Sequence, residues 1–99
     1  MSTESTPLVV HHNIAAHRFE AEINGQFAFA AYERDGKRMI FTHTEVPAAL
    51  RGGGIAAQIV RVALEFAAQQ GLRVEPQCSY VAVFISRHPE FQPLVDRPT

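Results

Sequence analysis

Two periods divide this chain, and three consecutive glycines stand near their boundary. From Arg18 onward the side chains alternate: Phe19, Ala21 and Ile23 point one way, Arg18, Glu20 and Glu22 the other. That is the two-residue period of a half-buried strand. Asn24-Gly25 follows; both central positions of a type I′ turn need positive φ, which this dipeptide tolerates, so a hairpin is expected. Residues 26–33 form the next strand, with Phe27, Phe29 and Ala31 on one face, and Asp35-Gly36 makes a second hairpin turn. A third strand covers residues 37–46, with Ile40, Thr42, Thr44 and Val46 on one face and Met39, Phe41, His43 and Glu45 on the other. Pro47 ends it, because proline cannot donate to a ladder.

After Gly52-Gly53-Gly54 the period becomes helical. Ile55, Ile59, Val62 and Phe66 recur along one stripe, flanked by Ala56, Val60, Ala63 and Ala67, while Gln58, Arg61, Glu65 and Gln69 lie opposite. This predicts an amphipathic helix of at least four turns, stopped by Gly71 just past its end. Residues 72–77 read as a short strand placed as a crossover unit would place it. Ser79–Arg87 reads as a second helix with Ser79 as N-cap, stopped at His88-Pro89. Phe91, Leu94 and Val95 are expected to pack back on the body. Ahead of the meander, Leu8-Val9-Val10 reads as a short first strand, with His11, His12 and His17 as strand residues. Residues 1–7, rich in Ser and Thr, are expected to fray, and residues 8–99 to make one domain. The fold class is therefore mixed α/β (α+β): an antiparallel meander followed by β-α-β-α, on a mixed, mostly antiparallel sheet.

Composition narrows the function. At 99 residues the chain has room for one core, burying roughly two-thirds of the surface of its unfolded form. Nine basic against ten acidic residues give a net charge of -1, with no basic stripe of the kind nucleic acid requires. No apolar run approaches the ~20 residues that span a bilayer, and residues 1–7 lack a hydrophobic signal core. The single cysteine, Cys78, excludes an internal disulfide, so the cytoplasm is the expected location. The histidines are not spaced with Cys or carboxylates as metal ligands, and no metal is expected.

The glycine triplet carries the chemistry. The first turn of a helix has N–H groups without intrahelical partners, and the macrodipole adds partial positive charge there. Glycines let the backbone approach an anion closely, so a diphosphate suits this place; a plain loop before a helix is the competing reading. A Walker A loop is excluded because Ile55-Ala56, not Lys-Ser/Thr, follows the last glycine. A dinucleotide fingerprint fails at position 57, which is Ala, and follows an antiparallel meander rather than a parallel unit.

The turn reads Arg-x-x-Gly-x-Ala at Arg51, Gly54 and Ala56. In this order of elements it resembles the Gln/Arg-x-x-Gly-x-Gly/Ala signature of the GCN5-related N-acetyltransferases. The chain looks closest to their small single-domain YjdJ-like subgroup. It resembles that subgroup in His43-Thr44-Glu45-Val46-Pro47, the Arg51-Gly52 start, Pro76-x-Cys78-Ser79-Tyr80-Val81 and His88-Pro89-Glu90-Phe91. The resemblance spans residues 8–95 and implies a GNAT-like fold and acetyl transfer from acetyl-CoA to an amine of a small molecule or protein. It also implies that the backbone amides of Gly52, Gly53, Gly54, Ile55 and Ala56 hold the coenzyme A pyrophosphate, with Arg51 at a phosphate. Glu45, Val46 and Pro47 would then run beside the pantetheine arm. Standard members carry two more helices between the first two strands; here residues 13–16 are all that fills that interval. The acceptor site is then open, or built by a partner chain, and the protein is expected as a monomer or homodimer. A coenzyme A or acyl-CoA binding module without turnover is the alternative function.

Acetyl transfer to an amine needs a base near the acceptor, support for the oxyanion and an acid for the leaving thiolate. Cys78, at the expected start of the second helix, where a thiol pKa falls, is a candidate nucleophile or pocket-lining group; free cysteines also serve as small buried hydrophobes. Tyr80 is a candidate acid, a role the family gives to a tyrosine on this helix, although the usual register falls near Phe84; core packing is its other reading. His43 and Glu45 share a strand face and are candidates for the base. A core-facing Glu45 would need a partner; on a solvent face it would need none.

Overall fold

The hairpins form where the turn chemistry places them. In the computed structural model, which describes residues 8–95, Asn24 and Gly25 both have positive φ, 53° and 79°, and join β2 (Arg18–Ile23) to β3 (Gln26–Asp35). β4 (Arg38–Glu45) returns antiparallel to β3. The second turn is Gly36-Lys37 rather than Asp35-Gly36, since Asp35 still pairs with Arg38. β5 (Arg73–Pro76) lies parallel to β4, after the crossover helix α1 (Ile55–Gln69). The sheet order is β1-β2-β3-β4-β5, so the expected mixed, mostly antiparallel sheet is present.

At the N-terminal edge the ladder starts later than expected. β1 is His11–Asn13, and Leu8-Val9-Val10 makes no ladder. Leu8 and Val10 nevertheless pack against the core, while Val9 is exposed. His17 is not a strand residue: at φ 57° it closes the turn that joins β1 to β2. The fraying expected of residues 1–7 lies outside the described residues.

α1 ends as a Schellman motif, with Leu72 N–H on Ala67 O at 2.9 Å and Gly71 N–H on Ala68 O at 3.3 Å. Its buried stripe is Ile59, Val60, Ala63, Leu64 and Ala67. Val62, assigned to the stripe from its spacing, is 37% exposed, and Leu64 takes its place. The stripe covers Phe19, Met39 and Phe41 of the sheet, all essentially solvent-free. α2 (Ser79–Arg87) packs against α1, β4 and β5. Its N-cap is Cys78, whose side chain makes no capping hydrogen bond, and Ser79 is already helical. Phe91 buries beneath it, and Val95 bridges Val74 beside β5, so the C-terminal segment packs back as expected.

One irregularity sets the geometry of the site. His43 pairs with Ala31 but Phe41 pairs with Tyr32, so β4 spends two steps where β3 spends one. Thr42 is the extra residue of a β-bulge. It reverses the side-chain alternation of β4. Met39 and Phe41 face the helices, but beyond the bulge Thr44, beside the buried Ala30, faces them instead. His43 and Glu45 therefore point to the opposite, helix-free face and are exposed. The single uninterrupted face expected for Met39, Phe41, His43 and Glu45 is corrected by this one inserted residue.

On the helix side, β1 is clasped by an aromatic cluster. His12 stacks on Phe19 at 4.0 Å, meets Phe66 edge-on at 4.6 Å and bonds Tyr32 Oη at 2.6 Å. Burial first, then the neighbouring His11 and Arg34, lower the His12 pKa. A histidine whose folded pKa is depressed contributes stability above its unfolded value, about 6.5, and loses that contribution as pH falls toward the folded value. Thermal denaturation should therefore show stability falling between pH 7.5 and 5. His12→Phe should flatten that slope; an unchanged slope in the variant would show that His12 is not its source.

Candidate functional site

β4 and β5 separate just beyond the bulge. Their pairing ends at Phe41↔Pro76, with Cys78 N–H on Phe41 O at 2.8 Å as the last link. The chain then turns into α2, while β4 runs on through Glu45 with no strand on that side among the described residues. The result is a fork. Its helix-side wall is Thr44 and its opposite rim is His43 and Glu45.

A groove of about 350 Å³ joins this fork to the N-terminus of α1, lined by Thr44, Glu45, Val46, Leu50, Arg51, Gly52, Gly54, Ile55, Ala56 and Tyr80. Most of the residues assigned to the coenzyme thus share one concavity. Pro47 and Gly53 lie within the same segment without lining it, and neither Cys78 nor His43 is among the lining residues, although Cys78 Sγ touches the lining Thr44. Gly52 and Gly54 have φ 90° and 75°, and Gly54 is the N-cap of α1, with no side-chain cap. The opening N–H groups of α1 are therefore presented without a competing side chain. Arg51 is held close by, its Nε donating to Val46 O at 3.0 Å.

The left-handed cap makes a testable demand. An L-residue there costs about 1–2 kcal/mol, so Gly54→Ala should lower Tm by about 4–8 °C per kcal/mol lost in a domain of this size. Gly53 has no positive φ, and a Cβ there meets only Leu50 O at 3.9 Å. Gly53→Ala should leave Tm nearly unchanged, and equal shifts in the two variants would contradict the cap geometry.

Cys78 is the half-buried group of the fork. Its Sγ lies 3.3 Å from Thr44 Oγ1. Burial pushes the thiol pKa up, but the Thr44 hydroxyl and the backbone N–H groups of Val81, Tyr80 and Thr44 outweigh it, and the pKa lies below that of an ordinary thiol. Physically this is a helix N-terminus acting on a sulfur at its N-cap. Thr44 is the residue of the fork that alternation missed: without the bulge it belongs to the face away from Phe41, and nothing in the local sequence marks Thr42 as an inserted residue.

On the rim, His43 Nε2 and Glu45 Oε1 are 2.9 Å apart, with side chains 60% and 49% exposed. The expected proximity of the two is present, and of the two positions left open for Glu45, facing the core or facing solvent, it takes the solvent one. Tyr80 is 41% exposed and lines the groove, which sets aside its reading as a packed core residue, while Phe84, one turn on, is buried against Phe91 and the His88 ring. His88 closes the end of α2, with Nδ1 donating to Phe84 O at 2.7 Å. Among the described residues no cluster of three or more His, Cys, Asp or Glu is placed to hold a metal ion. No helix there is long and apolar enough to cross a membrane.

A family model described as GCN5-related N-acetyl-transferase matches residues 18–94, which include the whole fork and groove. The chain belongs to the GCN5-related N-acetyltransferase family. Among curated relatives it is 36% identical to Protein NATD1 of Bos taurus over 89 residues, 87% of this chain and 79% of that protein. Protein NATD1 of Homo sapiens is 34% identical with the same coverage, and that of Danio rerio is 34% identical over 89% of this chain and 83% of its own length. The solution structure of a GCN5-like protein from Staphylococcus aureus superposes with a TM-score of 0.72 at 19% identity, covering 93% of this chain and 91% of that one. The fold is thus that of the family, and the family makes this chain an acetyltransferase.

Proposed function

We propose that the protein is an acetyl-CoA-dependent N-acetyltransferase of the small YjdJ-like type, and that the groove between the fork and the α1 N-terminus is its coenzyme site. The observation that carries this reading is the continuity of that groove, from the helix-terminal N–H groups at Gly54 to Ala56, along Glu45 and Val46, to Thr44, whose hydroxyl meets Cys78 Sγ at 3.3 Å. Gly52 to Ala56 present N–H groups and the α1 dipole to the pyrophosphate, and Arg51 adds a charge-assisted contact. The end of β4 at Glu45 and the N–H of Val46 offer backbone hydrogen bonds to the amides of the pantetheine arm, as a sheet edge does to a peptide, while Val46 O and Pro47 O are engaged by Arg51 Nε and Leu50 N–H and Pro47 lies alongside the arm.

Acetyl-CoA supplies the acyl group. The amine nitrogen bonds to the acetyl carbon as the C–S bond breaks; of the two protons an acceptor ammonium gives up, one ends on the coenzyme thiol and one in solvent. His43, oriented by Glu45, is the base on the rim, and both are exposed where an acceptor arrives. Cys78, with its depressed pKa, faces the fork as a nucleophile or as the group that meets the coenzyme sulfur. Tyr80 stands on the groove wall as the proton donor.

A titration calorimetry experiment with acetyl-CoA, followed by mass spectrometry of an amine panel, tests the reading. Binding with transfer is expected. Absence of any heat or thermal shift at millimolar ligand would defeat it. The four-residue turn 14–17, where related enzymes carry helices, favours a second reading, a coenzyme A or acyl-CoA binding module; binding without transfer to any amine or to Cys78 would establish that one instead.

A further inference from the structure

Among the described residues, α1, α2 and the 3-10 turn Pro89–Leu94 leave one face of the sheet without helices. The fork opens onto that face, and what surrounds it there is ordered and acidic. The strand register sets Glu20, Phe29 and Glu45 side by side across β2, β3 and β4, with Glu22 and Phe27 as the next row. Three carboxylates therefore frame two phenyl rings beside His43, whose ring lies 6.0 Å from that of Phe29. Phe27 is 42% exposed. Glu22 is exposed and has no ion pair or hydrogen bond among the described residues.

The face already holds one cation of its own. The Arg18 guanidinium sits 4.6 Å from the Phe29 centroid and 5.9 Å from that of Phe27, while its Nε is 2.6 Å from Glu20 Oε1. A positive group over an aromatic ring and against a carboxylate is the arrangement this surface stabilises. Arg18 neutralises only Glu20, which leaves Glu22 without an ion pair among the described residues and Glu45 met only by the His43 ring next to the fork. Strands lie about 4.8 Å apart, so these rows extend roughly 10 Å across a flat surface. A small polyamine needs a concavity to bury it; an extended segment of polypeptide needs a flat, patterned surface.

We propose that the fork end of this open face is the acceptor surface, and that it takes a basic polypeptide segment whose lysine reaches the His43–Glu45 pair. This deepens, and rests on, the acetyltransferase reading given above. The apolar lysine stem lies along Phe29, as such stems do over apolar surface. A flanking basic residue pairs with Glu22. Negative charge at the surface raises the encounter rate of a basic chain and rejects an acidic one.

Short peptides carrying one lysine in basic, neutral or acidic contexts, with spermidine as the small-molecule arm, provide the test, each read both as acetyl transfer from acetyl-CoA and as 15N amide shifts of the protein. The basic peptide is expected to exceed the acidic one by about tenfold in kcat/KM at low salt, with the advantage shrinking as salt screens it. Its binding is expected to move the amides of Glu22, Phe27 and Phe29 whether or not transfer follows. Glu22→Lys should raise KM for the basic peptide about tenfold with kcat kept, and should leave acetyl-CoA affinity unchanged. Equal transfer to basic and acidic peptides, a preference for spermidine, or amide shifts confined to the helix side would each overturn the proposal. Loss of the coenzyme reading shows separately, as an absence of acetyl-CoA binding.

Discussion

Cys78→Ala is expected to slow acetyl transfer about a hundredfold, the lower range for loss of a positioned acid, base or nucleophile, while acetyl-CoA still binds. The reason is the number of donors gathered on one sulfur. The Thr44 hydroxyl, 3.3 Å away, and the N–H groups of Val81, Tyr80 and Thr44 all favour its charged form against the cost of burial. That arrangement depends on the fork, because Thr44 reaches Cys78 only where β4 has parted from β5. Two measurements accompany the rate. Alkylation of Cys78 by iodoacetamide should reach half its limiting rate at a pH below that of a free thiol, and Thr44→Val should move that midpoint up. If Cys78→Ala transfers acetyl at the parental rate, Cys78 is a packing residue and the leaving thiolate is served by another group, with Tyr80 next to be substituted.

Phe41→Ala should destabilise the domain by about 3–5 kcal/mol, the usual cost of removing a buried phenylalanine. Whole domains have only about 5–15 kcal/mol to lose, so a large share of the variant would be unfolded at physiological temperature. Phe41 has no solvent exposure and packs edge-on to Tyr32 at 6.3 Å. Its carbonyl also accepts the Cys78 N–H, so one residue secures both the core under α1 and the point at which the fork opens. Urea unfolding measures the effect, with an unchanged m-value marking a loss of stability rather than of compactness. A loss under 1 kcal/mol would mean that neighbouring side chains close the cavity.

Much of the fold was legible in local chemistry. The Asn24-Gly25 dipeptide specifies a turn by its own φ preferences, and alternation from Phe19 to Ile23 specifies which side of β2 is buried. The helical spacing after Gly54 and the stop at Gly71 mark the ends of α1 nearly to the residue. These features act within a few residues of chain, so the sequence displays them directly. Where the reading missed, the cause was competition between elements. Val62 lost its place to Leu64 because the direction from which the sheet meets α1 is a tertiary fact. Leu8 to Val10 have strand-like side chains, yet His11 to Asn13 pair with β2, because the partner's register decides which residues find hydrogen bonds.

The glycine-rich loop and its helix were determined by sequence: Gly52 and Gly54 adopt the positive φ that glycine alone supplies without strain, and the helix period begins at Ile55. The arrangement of the groups proposed for catalysis was decided by tertiary structure. Alternation placed His43 and Glu45 on one face with Met39 and Phe41, and Thr44 on the other; one extra residue in β4, opposite Ala31 and Tyr32, exchanged them. That exchange placed Thr44 against Cys78 on the helix side and the His43–Glu45 pair on the open side of the same fork. A bulge costs one unpaired residue and leaves no compositional mark, so only the pairing of β4 with β3 could reveal it.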